Sequence, residues 1–143
     1  MNNELQEIYD YYLELDQDER LIKVKEAISN LSKSNDIYAH FMDPTAFSKY
    51  VFILFIGADR KITKRELNIF NDIFDEDYSL NEFAIYAQEA LKKYNLEKLD
   101  EIVDKLSAEE KNDVCIIGLS LISDDEEISE HEQEVFEIIL KNR

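Results

Sequence analysis

The sequence predicts an all-α, compact multi-helix domain, on three observations. Glycine (2) and proline (1) are too scarce among 143 residues to turn the strands of a sheet protein. Apolar residues recur three and four apart along most of the chain. Helix-start residues stand just ahead of these periodic segments. The length suits one domain with its own core, needing neither disulfide nor metal.

The spacing predicts a first helix from Glu4 to Leu15, with Leu5, Ile8, Tyr9, Tyr12 and Leu15 on one face. A second runs from Gln17 to Ser32, with Leu21, Val24, Ile28 and Leu31 inward, and a short one from Asp36 to Phe41. Asp43-Pro44 is a start signal: a cap acceptor, then proline where its missing N–H is no loss. The helix it opens, to about Ala58, is apolar almost all round, as befits a central helix wrapped by others. Thr63, Ser79, Asn95, Ser107 and Ser129 cap the next five. Their inner faces hold Leu67, Phe70, Ile73 and Phe74; then Phe83, Tyr86, Ala87 and Leu91; then Leu99, Ile102, Val103 and Leu106. Val114 to Ile122 forms a second apolar centre, and Val135, Phe136, Ile139 and Leu140 face inward from the last helix.

The formal net charge is -17, most of it in the C-terminal half. Such a chain repels nucleic-acid phosphates and anionic lipid, and attracts cations or basic proteins. No stretch approaches the roughly 20 apolar residues that span a bilayer. The N-terminus MNNELQEIYD lacks a signal-peptide pattern. Cytoplasmic placement without membrane insertion is therefore expected. The single cysteine, Cys115, lies in an apolar run and reads as a buried structural thiol. His40 and His131 read as solvent-exposed, with no second histidine at the spacing of a zinc motif. No phosphate-cradling glycine loop and no nucleophile–base set is present, so an enzyme is not expected.

Two stretches stand out. DRKITKRE and DEEISEHE each follow an apolar run, and they match at Asp59 and Asp125, Ile62 and Ile128, Thr63 and Ser129, and Glu66 and Glu132. The match continues at Phe70 and Phe136 and at Ile73 and Ile139, so two pseudo-symmetric helix–turn–helix units are expected. Capping boxes explain the hydroxyls and glutamates, and the isoleucines sit where a hydrophobic staple belongs. Capping does not explain Asp59 and Asp125, each near the C-terminal end of a helix, where the dipole disfavours an anion by about 0.3–1 kcal/mol. A cation among the aspartate, the glutamate and the helix-end carbonyls would offset that cost, and such oxygen ligands suit calcium or magnesium. An EF-hand is excluded. With Glu66 or Glu132 as its last ligand, the first ligand would be Phe55 or Leu121 and the obligatory glycine Arg60 or Glu126.

An apolar helix, then Ala-Asp-Gly-x-Ile-Thr/Ser-x-x-Glu, then an amphipathic helix, repeated in one acidic all-helical domain, resembles the tellurite-resistance TerB-like family. The matching words are GADRKITKRE and SDDEEISEHE. The resemblance covers residues 43–143 and leaves residues 1–42 as a helical extension within one domain. It implies a non-enzymatic binding or scaffold module in a stress-response or membrane-associated complex. It also implies metal positions at Asp59, Glu66, Asp125 and Glu132. Asp124 joins them in the second copy, the better candidate, because Arg60 and Lys61 crowd the first with positive charge. The alternative is a metal-free acidic module that binds a basic protein partner.

Overall fold

The computed structural model describes residues 3–40, 43–57, 62–122 and 128–141. These residues form nine α-helices: α1 (Asn3–Glu14), α2 (Gln17–Ser32), α3 (Asn35–His40), α4 (Pro44–Ile56), α5 (Lys64–Phe74), α6 (Leu80–Lys93), α7 (Leu96–Val103), α8 (Ala108–Leu119) and α9 (Glu130–Leu140). No strand occurs among the described residues. No described helix is long and apolar enough to cross a membrane.

Helix starts follow the sequence closely. Thr63, Ser79, Ser107 and Ser129 each complete a capping box with Glu66, Glu82, Glu110 and Glu132. Asp16 does the same with Glu19, and Asn95 caps α7 through its side chain alone. Each box satisfies two of the N–H groups that a helix start leaves unpaired, which contributes about 1 kcal/mol per helix.

The two apolar helices, α4 and α8, pack against each other at the centre, and α2 makes the most extensive contact of all, on α8. Phe47, Val51, Phe52 and Ile53 of α4 are sealed from solvent, as are Val114, Cys115, Ile117 and Leu119 of α8. Gly118 is what lets the two helices meet: a Cβ there would lie 2.4 Å from the Phe55 ring. That ring in turn packs 4.7 Å from the ring of Phe136 in α9. On the other side of α4, Phe70 centres an aromatic cluster, 5.4 Å from Phe52 and 4.6 Å from Phe83. Leu5, Tyr12, Val24, Ala27 and Leu31 of the first two helices belong to the same continuous core.

Two polar ties bind distant segments. The Ser34 hydroxyl, beyond the end of α2, donates to the Glu110 carboxylate, which also accepts from the Ser107 N–H. Lys141, after α9, pairs with Asp100 of α7. One inward assignment on α2 is overturned. Leu21 is 37% exposed, and Ala27 is buried alongside Val24 and Leu31. Leu21 instead lines an open cleft between α2 and α5, with Asn68, Ile69 and Ile73.

Gly118→Ala adds a methyl group where the buried Phe55 ring stands. The gain in helix propensity, about 1 kcal/mol, is outweighed by overpacking, which costs about 1–3 kcal/mol. The expected result is a lower urea midpoint with an unchanged slope.

Candidate functional site

Glu66 and Glu132 are both employed as caps. Glu66 accepts from the Thr63 N–H at 2.8 Å and lies 3.0 Å from the Thr63 hydroxyl. Glu132 accepts from the Ser129 N–H at 2.8 Å. Ile62 is half-buried against the core and Ile128 is buried, as the position before a cap requires. Asp59, Asp124 and Asp125 lie outside the described residues, so the aspartate half of the expected metal positions does too. Among the described residues, no group of three or more histidine, cysteine, aspartate or glutamate side chains is placed to hold a metal.

The flanks of the two turns meet. His131, in the first turn of α9, lies with Nε2 2.8 Å from the carbonyl oxygen of Leu54, in the last turn of α4. This corrects the expectation of an exposed histidine: His131 is half-buried and joins residues 77 apart in sequence. The physical reason is the end of α4, where carbonyls lack helical N–H partners and accept a donor from the neighbouring helix. The Leu54 carbonyl also accepts from the Gly57 N–H at 3.3 Å. The His40 side chain lies outside the described residues.

A second feature escaped the sequence reading. A cleft of about 610 Å³ opens between α1, α2 and α8. Glu4 and Glu7 line it from α1, Glu109 and Asp113 from α8, and Lys23 and Asn30 from α2. Tyr11 forms part of its wall, with the Lys23 ammonium 5.8 Å from the ring centre. Four carboxylates against one lysine leave the cleft strongly negative.

Asp113 is unusual within it. Burial pushes its carboxyl up from 3.8 to about 6, and the charges of Glu109 and Glu110 push the same way. A hydrogen bond from Asn30 and the charge of Lys23 only partly oppose them. Glu110, on the same helix, shows the contrast. Burial raises it too, but the bonds from Ser107 and Ser34 hold its carboxyl below the usual range. At Glu110 the hydrogen bonds outweigh burial; at Asp113 the bond from Asn30 does not.

The signal for this cleft was present as spacing. Glu4, Glu7, Ile8 and Tyr11 repeat the helical positions of Glu109, Asn112, Asp113 and Ile116, and both sets line the cleft. Two faces whose leading positions are acidic read as solvated surface until the fold brings them together.

No known family model matches the chain, and no curated protein and no solved structure matches it either.

The raised Asp113 carboxyl has a definite stability sign. A carboxyl bound more tightly to its proton in the folded state stabilises fully below about pH 4, and this contribution is lost as pH rises through about 6. Asp113→Asn removes the ionisation. The variant should match the wild type at pH 4 and exceed it above pH 6 by about 1 kcal/mol, after discounting for solvent at a half-exposed group. Denaturant melts across that range measure the difference.

Proposed function

We propose that the chain is a non-enzymatic interaction module of the TerB-like type, whose acidic cleft between α1, α2 and α8 takes a lysine- or arginine-bearing segment of a basic partner protein. The observation that carries this reading is Asp113, a carboxylate kept half-buried at a cost to stability, among Glu4, Glu7 and Glu109. Groups retained against stability in a cleft are characteristic of functional sites. An incoming ammonium or guanidinium would add a charged donor to the Asn30 bond at Asp113, and Tyr11 offers a ring face for it. The net charge of -17 draws such a partner from a distance and disfavours nucleic acid. The resemblance of GADRKITKRE and SDDEEISEHE to TerB-like words supports a scaffold role in a stress-response or membrane-associated complex, and cytoplasmic placement is proposed on the sequence pattern alone.

A fluorescent lysine-rich peptide tests the cleft. Its affinity should fall as salt rises, and Asp113→Asn should weaken it by about tenfold, or about 1.4 kcal/mol. Glu97→Gln, which removes a charge from exposed α7 surface, should leave it unchanged. Asp113→Asn is expected to be the more stable form, and its denaturant melt, measured alongside, separates loss of binding from unfolding. Equal affinity in the two variants overturns the reading.

A second reading keeps the divalent cation. It is favoured by the His131–Leu54 bond, which puts the ends of the two motif turns side by side. Calcium or magnesium held by Asp59, Asp124 and Asp125, with Glu66 and Glu132, would then tune the module. In chelator, and then with each ion restored, the expected outcome is a rise in melting temperature by mass action, lost in Asp125→Asn with Glu132→Gln. No rise with either ion removes the cation from the mechanism.

A further inference from the structure

The acidic cleft already holds a cation of its own. Lys23 enters it from α2, half-buried, and its ammonium stands 5.8 Å from the centre of the Tyr11 ring on α1. Within about 6 Å the face of such a ring attracts a cation. The same charge draws the Asp113 carboxyl down, against burial. Toward ring and carboxylate alike, a lysine of this chain plays the part that the proposed function gives to a lysine of the partner.

The other cations of α2 are tied differently. Arg20 donates to the Tyr12 and Leu13 carbonyls at 3.2 and 3.1 Å, and Lys25 pairs with Asp75 at 3.2 Å. Lys23 closes no ion pair among the described residues, although four carboxylates line the cleft with it. An ammonium on a flexible four-carbon stem, held by a ring face and a diffuse field, exchanges readily for another. The cleft has room for a second side chain, and the Tyr11 ring is exposed to it. Two ammonium groups on one ring face repel each other, so the arrival of a second displaces the first.

We infer that Lys23 is a built-in stand-in for the partner's lysine: in the free protein it occupies the Tyr11 ring and the field of the cleft, and binding of the basic segment displaces it. The inference rests on the reading of the cleft as a site for such a segment, and it adds regulation of that site by internal competition.

Proton NMR of the whole chain, titrated with the same lysine-rich peptide without its label, provides the test. Protons above an aromatic ring resonate upfield. The ε-methylene signal of Lys23 should therefore lie upfield in the free protein and return to its ordinary position in Tyr11→Leu. Saturating peptide should move it to that position in the wild type. Lys23→Met removes the competitor, and affinity for the peptide should rise about fivefold or more. Lys25→Met takes the same charge from the same helix and should change the affinity by less than about twofold. A fixed structural role for Lys23 gives the reverse: Lys23→Met then melts lower and binds no better. Peptide binding that depends on Asp113 while the Lys23 signal stays in place, or equal affinity in the wild type and Lys23→Met, overturns the inference and leaves the reading of the cleft standing. A peptide that binds neither the wild type nor Lys23→Met overturns that reading, and the inference with it.

Discussion

Everything in this fold is arranged around one contact, the Phe55 ring of α4 lying on the bare backbone of Gly118 in α8. α4 and the C-terminal half of α8 are apolar on nearly every side and must both be buried, and in a chain this short they can share one centre only by close approach. Gly118 makes that approach possible at the point where the largest side chain intrudes. The remaining helices then cover what α4 and α8 still expose. α2 lies on both, α6 and the aromatic cluster around Phe70 lie on α4, and α9 closes over Phe55 through Phe136.

The helices were legible because their boundaries are set by local chemistry. A hydroxyl or carboxylate cap, followed three residues later by glutamate, acts within four residues and survives any tertiary context. Ser107 with Glu110 and Ser129 with Glu132 could be read without knowing what packs where. The inward faces were also legible wherever a stripe is clean, as at Leu99, Ile102, Val103 and Leu106. Leu21 failed because it lines an open cleft that α2 forms with α5, beside Arg65, Asn68 and Asp72, a setting that spacing within α2 does not reveal.

The candidate sites were less legible, for a related reason. Asp113 becomes unusual only when burial and Asn30, Lys23, Glu109 and Glu110 act on it together, and in sequence it is one acid among 33 aspartates and glutamates. His131 looked exposed because its neighbours Glu130 and Glu132 are charged, yet its partner is a backbone carbonyl that no side-chain pattern reveals. Spacing reports which residues share a helix face. It does not report which face of another helix will oppose them.

The order in which the chain is made gives the α2–α8 contact a further meaning. A ribosome releases α2 long before α8, so Val24, Ala27 and Leu31 emerge without the surface that will cover them. Exposed apolar faces on a nascent chain invite aggregation. The acidic residues interleaved along α1 and α2, among them Glu4, Glu7, Asp10, Asp18 and Glu26, then act as a temporary solvating coat. Only when α8 is complete can the Ser34 hydroxyl reach Glu110 and lock the early helices in place. The first third of the molecule thus spends most of its synthesis waiting for its partner.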